Sequence, residues 1–526
     1  MSRAIGVDLG TTNTLVSYID KNNSVKTYRL KGEKAIPSAI YLISKDKYVI
    51  GEEALTRGIS WPEGLVENFK YNIGETRKTE YIAENGDRIA LNSVQASKIL
   101  LEEILKKVTT KIIKDFNDDI GEVIITVPAK FNPIQKKNTK RAAENAGFQT
   151  VKLAKESTAA AIAYIHQNQE EVKNKLLVYD FGGGTFDVSI IEKSMNGYKE
   201  VVTPAGDRNL GGNLITKRIA DYIIDKIEED LDIEICKDRD EFDESDYGYY
   251  PEKTYIKSYI NIYHTAESLK KKFSEIEDEE YLEEFIQIFI PKEETKTEET
   301  YNYNFRLSPQ QFNKIIEKDI DRTIEIVKKV VEESGVDKND LDIILTGGSS
   351  LLSLVQIKLE IYFDREIKVY RPDTLISEGA AFLTENINGL EMESNLPNDI
   401  GVKISQRNGI GLFEPLLKAG TAEKNANVTR TFTLFDDDQT NVKIQLYERD
   451  ILNYPNAKRV SDEGCSQIDE LDIALPNGLK KDSTDISLNL QIDNNGTLLL
   501  NVSLHDRISG QVIKDKLNVT FEEMVE

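Results

Sequence analysis

Two segments of the chain place an Asp at the end of an apolar strand and a Gly- and Thr-rich turn directly after it. In the first, Asp8 precedes the turn at 10–13; in the second, Asp180 precedes the turn at 182–185. Glycines let a backbone approach a bulky anion, and main-chain amides and Thr hydroxyls donate hydrogen bonds to it. An Asp suits a hydrated Mg²⁺, which keeps several of its waters. Two such hairpins facing each other would clamp the phosphates of a nucleotide from both sides.

The repetition makes this pattern informative, because a single Asp-x-Gly turn is common and would be weak support. The P-loop pattern Gly-x-x-x-x-Gly-Lys-Ser/Thr is absent from the sequence, so the phosphates must be held in another way. The residues predicted to contact them are Gly10, Thr11, Thr12, Asn13, Gly182, Gly183, Gly184 and Thr185.

The pattern of apolar and polar residues along the chain predicts the elements that must position these turns. Residues 1–388 mix short apolar strands with long amphipathic segments, which predicts an α/β nucleotide-binding domain. Residues 389–398 are polar and contain a proline, as in a linker. Residues 399–526 show short alternating strands and turn signals, which predict an antiparallel β-sandwich. A chain of 526 residues is too long for one core, so at least two domains are expected.

The charge balance excludes two classes of partner. With 67 Lys and Arg against 91 Asp and Glu, the net charge is −24, and nucleic acid or an anionic membrane would be repelled. The chain begins directly with a strand and has no stretch long enough to span a membrane, so we expect a cytoplasmic protein. Cys236 and Cys465 are isolated, which indicates neither a disulfide framework nor a zinc site.

Six motifs, in their order and spacing, resemble the actin-like ATPase superfamily and, within it, the seventy-kilodalton heat-shock chaperones of the DnaK type. The resemblance covers essentially the whole chain and implies a two-lobed, ribonuclease H-like ATPase domain followed by a peptide-binding β-sandwich. It also implies ATP or ADP with Mg²⁺ as cofactors. The matching motifs are residues 5–13, 127–132, 156–161, 180–189, 206–212 and 345–348.

The resemblance assigns roles at the reacting phosphate. It implies that Asp8 and Asp180 hold Mg²⁺ through its water shell, while the two turns, including Thr185, bind the β- and γ-phosphates. Lys70 matches the catalytic lysine of the family, which positions the attacking water and offsets developing charge. Glu156 and Asp187 would orient water around the metal and the nucleophile.

The resemblance also implies an adenosine site. Glu267, Lys270 and Ser274 are spaced i, i+3 and i+7 along a predicted helix, so they would share one face. At the position where the family carries an Arg that stacks on adenine, this chain has Leu351, and an altered nucleotide affinity or base selectivity is expected. The remaining residues predicted to complete the pocket are Gly211, Gly212, Gly347, Gly348, Ser349 and Asp373.

In the β-sandwich the resemblance implies a cleft that takes an extended apolar segment of a client polypeptide. Each of these side chains could equally be an ordinary member of the sandwich core. The arch over the client would have Ser405 and Phe435 at its two sides. The predicted peptide-binding residues are Val402, Ile404, Phe432, Phe435, Val442 and Ile444.

Four departures from the family bear on communication between the domains. The polar segment 391–398 replaces an apolar linker, which predicts weakened docking of the linker. Lys130 and Lys155 replace a Tyr and an Asn of the family, and Lys136 replaces an Arg that relays the switch. The sequence stops just after the sandwich, so we expect no helical lid.

The leading functional hypothesis is a molecular chaperone whose ATP hydrolysis regulates its binding of unfolded polypeptides. The family implies a J-domain co-chaperone and a nucleotide exchange factor as partners. One alternative is a small-molecule (sugar) kinase of the same superfamily, which the hairpins alone would permit. Another is a nucleotide-gated binding protein for one dedicated partner, with little turnover.

Overall fold

The computed structural model describes most of the chain in twelve segments. They are residues 2–116, 119–168, 172–194, 197–235, 252–275, 280–292, 297–369, 371–386, 391–405, 411–493, 498–509 and 511–517. Cys236 and residues 389–390 of the predicted linker lie outside the described residues.

Residues 2–168 form lobe I, which is built on a sheet of order β11-β10-β1-β2-β3, with β4 paired to β2. Two small sheets, β6-β5-β7 and β8-β9, lie beside it. The strands are β1 (Ser2–Leu9), β2 (Asn13–Ile19), β3 (Val25–Thr27), β4 (Ile36–Pro37), β5 (Ile40–Ser44), β6 (Lys47–Ile50), β7 (Leu65–Val66), β8 (Thr79–Ile82), β9 (Arg88–Leu91), β10 (Asp119–Val127) and β11 (Thr150–Lys155). The helices are α1 (Glu52–Ser60), α2 (Ser93–Phe116), α3 (Pro133–Asn145) and α4 (Glu156–Gln167).

Residues 172–386 form lobe II, on a sheet of order β18-β12-β13-β14-β19, with β15 paired to β13. The strands are β12 (Lys175–Phe181), β13 (Phe186–Lys193), β14 (Gly197–Glu200), β15 (Ala205–Asp207), a separate hairpin of β16 (Leu282–Lys292) and β17 (Thr297–Leu307), β18 (Leu341–Thr346), and β19 (Glu391–Glu393) from the linker. The helices are α5 (Gly212–Leu231), α6 (Glu252–Phe273), α7 (Pro309–Ser334), α8 (Ser353–Phe363) and α9 (Leu375–Asn386).

The two lobes repeat one arrangement around the predicted turns. In lobe I, β1 is antiparallel to β2 and parallel to β10. In lobe II, β12 is antiparallel to β13 and parallel to β18. The strands before each turn are buried and apolar, as expected for a sheet covered on both faces. The duplication seen in the sequence is therefore a duplication of a three-stranded unit.

Two helices rich in small residues join the lobes. α4 and α9 pack against each other and share one apolar core with strands of both central sheets. Gly379 of α9 lies so close to Ala159 of α4 that a Cβ at this glycine would overlap the Ala159 carbonyl. Such close packing of small residues brings the two sheets near enough for their turns to meet.

Helix α7 shows how local sequence sets an element. Ser308 and Gln311 form a capping box, Pro309 occupies the first turn, and the helix ends at Gly335, whose φ of 63° is left-handed. Both ends of this helix are therefore set by residues next to them in the sequence.

The C-terminal β region consists of two four-stranded antiparallel sheets, β21-β20-β23-β24 and β22-β25-β26-β27. Both sheets contribute to one apolar core, and alternate residues of β25 are buried, as the period of a strand requires. The strands are β20 (Asp399–Ser405), β21 (Gly411–Leu417), β22 (Asn427–Thr433), β23 (Asn441–Arg449), β24 (Cys465–Ala474), β25 (Thr484–Ile492), β26 (Leu498–Asp506) and β27 (Val512–Leu517).

The linker is docked on lobe II, contrary to the weakened docking expected from its polar sequence. Residues 391–393 form β19, which adds to the sheet in parallel beside β14. The main-chain amide of Asn395 then donates to Glu200 Oε2 at 2.6 Å. Strand pairing uses main-chain groups, so it does not require apolar side chains.

Across the described segments, none of the helices combines the length and the apolar character needed to cross a membrane.

Candidate functional site

The two predicted turns face each other across the boundary between the lobes. A Cβ added to Gly183 would overlap the Thr12 hydroxyl, so a residue larger than glycine would push the turns apart. The second turn is further held by α5, whose first amides, at Gly212 and Asn213, donate to the carbonyls of Gly182 and Gly183 at 2.9 and 2.7 Å.

Five charged side chains lie behind the turns, and we call them the hairpin cluster: Asp8, which is partly buried, and the buried Lys70, Glu156, Asp180 and Asp187. Asp180 and Asp187 lie directly opposite each other on β12 and β13. Lys70, in the 3₁₀ turn Phe69–Asn72, donates to Glu156 Oε1 at 2.9 Å. Both side chains of this pair are more than 90% buried. The sequence-predicted residues at the reacting phosphate are thus brought together.

Two of these carboxylates accept long hydrogen bonds from threonines. Thr126 of β10 donates to Asp8 Oδ1 at 3.3 Å, and Thr185 donates to Asp187 Oδ2 at 3.4 Å. Thr185 therefore links the second turn to the carboxylate of Asp187.

The charges of the hairpin cluster are unbalanced, with four carboxylates against one ammonium. Burial, and then repulsion from Glu156, raise the pKa of Asp8 to about 7. The same two causes raise the pKa of Asp187 to about 7. Burial, followed by repulsion from Glu156, Asp187 and Asp8, also raises the pKa of Asp180. Each shift opposes the ionised form, so added positive charge would stabilise the site.

A hydrated Mg²⁺ fits this cluster. Carboxylate oxygens are the ligands that this ion prefers, and it commonly takes only one or two from the protein. Among the described residues, no three His, Cys, Asp or Glu side chains are grouped to hold an ion directly. Asp8 and Asp180 each offer a carboxylate to such an ion, and repulsion from Asp8 contributes to the raised pKa of Asp180.

The predicted adenosine side chains lie on α6 beside the start of α5. Lys270 Nζ donates to Glu267 Oε2 at 2.5 Å, to Thr216 Oγ1 at 2.9 Å and to the Gly212 carbonyl at 3.0 Å. Ser274 does not lie on the helix, which ends at Phe273. It occupies the following turn, where its hydroxyl donates to the Lys271 carbonyl at 2.6 Å.

The predicted glycines of the adenosine site follow β18. Gly347 has a φ of 81° and donates to the Pro372 carbonyl at 3.2 Å, and the Ser349 hydroxyl donates to the Gly182 carbonyl at 3.0 Å. Beside Gly348 the space is open, Asp373 is exposed, and Leu351 is 39% exposed. Leu351 thus presents an apolar surface at the position where the family resemblance predicts an Arg.

A cavity of about 590 Å³ lies between the lobes, which is within the usual range for a small-molecule site. Its lining includes Thr11, Thr12 and Asn13 from lobe I, and Tyr263 and Glu267 from lobe II. The first predicted phosphate turn therefore shares one cavity with Glu267, which is predicted for adenosine.

Sequence reasoning missed four residues that bridge the mouth of this cleft. Asn213 Nδ2 donates to Asn68 Oδ1 at 2.8 Å, and Tyr71 donates to Asn209 Oδ1. Asn68 has a left-handed φ of 55°, which is unusual for a residue other than glycine. The available signal was proximity in sequence, because Asn68 and Tyr71 flank Lys70.

The architecture and the cleft agree with the comparison to known families. The model of the family described as Hsp70 protein matches residues 4–525, which is essentially the whole chain. The chain belongs to the Hsp70 family. The members of this family are chaperone ATPases that bind ATP or ADP with Mg²⁺ and act on unfolded polypeptides together with co-chaperones.

The predicted peptide-binding residues of this Hsp70 chain divide into two groups. Val402 and Ile444 are buried in the apolar core of the β region, so for these two the structure corresponds to the core alternative. Phe432 and Val442 are partly buried against that core, Ile404 is also partly buried, and Phe435 is 59% exposed. Only the second group offers apolar surface for a client in this arrangement.

The β region of this Hsp70 chain contacts lobe I through lysines that depart from the family pattern. Lys130 Nζ donates to Asp450 Oδ2 at 2.6 Å. Asn132 Nδ2 donates to Glu448 Oε1 at 3.2 Å, and Glu448 also accepts from Arg208 of lobe II at 2.9 Å. Lys130 and Asp450 are 320 residues apart, so this pair was not predictable from the sequence.

Proposed function

We propose that this chain binds ATP between the two hairpin turns and hydrolyses it to regulate its binding of unfolded or extended polypeptide segments. The observation that carries the proposal is the hairpin cluster, which lies behind two phosphate-type turns that face each other. The repeated turns offer amides and hydroxyls to the β- and γ-phosphates, and the cluster offers carboxylates for a hydrated cation.

In this reaction Asp8 and Asp180 would hold Mg²⁺ through water, and the ion would supply positive charge next to the phosphates. Lys70 positions the attacking water and offsets the charge that develops on the γ-phosphate. Glu156 and Asp187 orient that water by accepting its hydrogen bonds. Because phosphoryl transfer depends mainly on positioning and electrostatics, these roles account for hydrolysis to ADP and phosphate.

The β region supplies the client site in this proposal. Phe432, Val442 and Phe435 offer apolar contacts, and main-chain groups would add hydrogen bonds that tolerate many client sequences. The contacts of Lys130 with Asp450 and of Glu448 with Arg208 give the β region a route to both lobes. We also propose that a J-domain co-chaperone and a nucleotide exchange factor act on the chain.

Replacing Lys70 by Ala tests the hydrolytic part. We expect turnover to fall about 100-fold or more, because one positioned charge at the reacting phosphate is lost. ATP affinity should stay within about tenfold, because the turns still bind the phosphates. Lys106→Ala is the matched control, since Lys106 is an exposed lysine of α2 in the same lobe. An equal effect of both substitutions would contradict the role of Lys70.

Turnover of the unmodified protein, measured with and without an unfolded peptide, tests the coupling. We expect peptide to change the rate of hydrolysis and ATP to accelerate peptide release. If ATP leaves the rate of peptide release unchanged, the chain is an ATPase whose hydrolysis is not coupled to peptide binding. Tight ATP binding without hydrolysis would favour the nucleotide-gated binding protein instead, and transfer of phosphate to a sugar would favour a kinase.

A further inference from the structure

A second cavity, of about 1290 Å³, adjoins the cavity that contains the first turn. It extends from Gly184 of the second turn to the β8–β9 hairpin of lobe I. Arg77 and Arg88 in its lining are exposed, so the cavity opens to solvent. The side chains predicted for adenosine on α6 are not part of its described lining. The second cavity therefore connects the turns with the surface by a path that does not pass the adenosine site.

The second cavity reaches the point where the two turns meet. A Cβ at Gly184 would lie 2.7 Å from the Thr11 hydroxyl, and Thr11 lines the first cavity. The contact between the turns is thus reached from both cavities. In the proposed reaction ADP stays in the first cavity, with its nucleoside at Glu267. The direct exit for the released phosphate is then the second cavity.

Four residues lie between the two cavities, and we call them the bridge: Asn68, Tyr71, Asn209 and Asn213. All four line the second cavity, and all except Asn209 also line the first. Asn213 Nδ2 donates to Asn68 Oδ1 at 2.8 Å, and the Tyr71 hydroxyl donates to Asn209 Oδ1. Each of these hydrogen bonds joins lobe I to lobe II. The bridge therefore lies across the boundary between the cavities.

The bridge is tied to both turns through Asn213. Its main-chain amide donates to the Gly183 carbonyl at 2.7 Å, and its side-chain oxygen lies 3.5 Å from the Thr12 hydroxyl. On the lobe I side, two bridge residues flank the buried Lys70. A phosphate that leaves the turns for the second cavity therefore passes the bridge.

The bridge can open without disturbing an apolar core. Asn68, Tyr71 and Asn209 are exposed, so water can replace the partner of each side chain. A neutral hydrogen bond in such a position has a small net effect on stability, because water competes for both groups. The lining of the second cavity carries three arginines and four glutamates, so it has no excess of positive charge that would retain an anion. These properties suit the passage of a phosphate rather than its storage.

We propose that the second cavity is the exit for inorganic phosphate and that the bridge is the gate on this route. This inference rests on the proposed ATPase function. Opening of the bridge lets phosphate leave the turns while ADP stays in the first cavity. A gate that does not itself bind phosphate changes the rates of entry and release by the same factor. The dissociation constant for phosphate then stays the same.

The test follows phosphate in the full-length chain without depending on the rate of hydrolysis. The ADP-bound protein is loaded with phosphate and mixed with an excess of a fluorescent phosphate sensor, which gives the rate of release. Isothermal titration calorimetry of phosphate with the ADP-bound protein gives the dissociation constant, and the two values together give the rate of entry. Displacement of a fluorescent ADP analogue gives the rate of ADP release.

Two substitutions each remove one hydrogen bond of the bridge. Asn68→Gly removes the acceptor and keeps the left-handed backbone, since glycine adopts a φ of 55° without strain. Tyr71→Phe removes only the hydroxyl. For each variant we expect phosphate entry and release to become about fivefold faster. The dissociation constant for phosphate and the rate of ADP release should each change less than about twofold.

Matched controls exist for both substitutions. Asn23 is an exposed asparagine of lobe I with a left-handed φ of 58°, so Asn23→Gly makes the same change away from the bridge. The Tyr454 hydroxyl donates to Glu463 Oε1 at 3.1 Å in the β region, so Tyr454→Phe removes a comparable hydrogen bond. Both controls should leave phosphate release unchanged. Circular dichroism identifies any variant that fails to fold, and Tyr71→Phe keeps the test decisive if Asn68→Gly does so.

Unchanged phosphate release in both bridge variants would overturn the gate. An equal acceleration of ADP release would also overturn it, because the bridge would then hold the lobes closed around the whole nucleotide. A weaker affinity for phosphate at an unchanged rate of entry would show that the bridge belongs to the binding site instead. Phosphate that the unmodified ADP-bound protein does not retain would likewise overturn the gate, since an open exit has none. If the unmodified protein does not hydrolyse ATP, the proposed function itself fails and this inference fails with it, and that outcome is recognised before any variant is made.

Discussion

Two groups of charges in the molecule differ in charge balance: the hairpin cluster, and the junction cluster of Lys136, Lys155, Glu200 and Glu423, where the two lobes meet the β region. In the hairpin cluster four carboxylates face one ammonium, and burial and mutual repulsion raise the pKa of Asp8, Asp180 and Asp187. In the junction cluster two lysines face two glutamates, at distances of 2.7 to 3.7 Å. The first group lacks positive charge, whereas the second is neutral as a whole.

The pKa shifts at the junction reflect this balance. Burial acts to raise the pKa of Glu423, but attraction to Lys136 and Lys155 is stronger and lowers it. Burial likewise acts to lower the pKa of Lys155, and its carboxylate partners outweigh burial and raise it. For Glu200 and Lys136, burial prevails and shifts the pKa toward the neutral form. Attraction thus compensates burial for part of the junction and does not do so for the aspartates of the hairpins.

The comparison indicates what each cluster is for. A group of carboxylates that the fold leaves uncompensated is suited to binding a cation. A compensated group needs nothing further, so its contribution is to hold parts of the chain in one arrangement. Substituting an acid should therefore have opposite effects on stability at the two sites.

The largest effect is expected for Asp180→Asn in the hairpin cluster. ATP turnover should fall about 1000-fold, because the substitution removes one of the two carboxylates for Mg²⁺. The nucleotide-free protein should nevertheless become more stable, with a thermal midpoint higher by about 2 °C, because repulsion among buried carboxylates is relieved. Turnover assays and thermal unfolding without nucleotide measure the two quantities.

The control for this prediction is Asp364→Asn, at the left-handed residue that follows α8 and lies far along the chain from the turns. This substitution should leave turnover unchanged. A thermal midpoint that falls in Asp180→Asn would contradict the view that the hairpin cluster is electrostatically strained.

Four residues of the hairpin cluster lie in local motifs of the sequence, whereas the fifth, Lys70, was predicted only through the family resemblance. Asp8 and Asp180 end apolar strands, and the Gly-rich turns follow them directly. The family resemblance then supplied Lys70 and Glu156, which the structure brings within 2.9 Å of each other. Local patterns fix strand ends and turns, so these predictions required no knowledge of long-range packing.

The sequence was insufficient for the junction cluster, because its partners are far apart in the chain. Lys136 and Glu423 are separated by 287 residues, and Lys130 and Asp450 by 320. A buried lysine paired in this way has the same sequence signal as a solvated one. The polar linker was misjudged for a related reason, since the pairing of β19 uses main-chain groups that composition does not report.

Within the β region, the alternation of apolar and polar residues predicted the strands. It did not predict which face of each strand is packed in the core. Val402 and Ile444 fit the apolar period of a strand, and the structure buries both in the core. Alternation with a period of two shows that residues share one face of a strand. It does not show whether that face packs against the other sheet or contacts a client. The same limit applies to Ser274, because a helical spacing does not show that the helix ends at Phe273.

The second prediction concerns Glu200→Gln in the junction cluster. We expect a loss of about 3 kcal/mol in the free energy of unfolding, because the substitution leaves the buried ammonium of Lys155 without its main counter-charge. Denaturant unfolding measures this loss of free energy. Glu192→Gln is the control, since Glu192 is a partly exposed acid on the neighbouring strand β13. An increase in stability would indicate that the burial of Glu200 outweighs its attraction to Lys155.

The smallest predicted effect is a pH dependence that belongs to the hairpin cluster alone. The pKa values of Asp8 and Asp187 are raised from 3.8 to about 7, so these carboxyls take up protons as the pH falls through 7. Cation binding requires the ionised forms, and protons therefore compete with it. Between pH 8 and pH 6, the affinity for ADP with Mg²⁺ should fall about tenfold for each proton displaced. Isothermal titration calorimetry measures this affinity directly.

Asp187→Asn removes one titrating group and should flatten the profile, while the titration of the nucleotide itself is the same for both proteins. Glu423→Gln should leave the slope unaltered, because the junction cluster does not take part in binding the cation. Equal slopes for the unmodified protein and Asp187→Asn would mean that the charge imbalance of the hairpin cluster is not what the cation relieves.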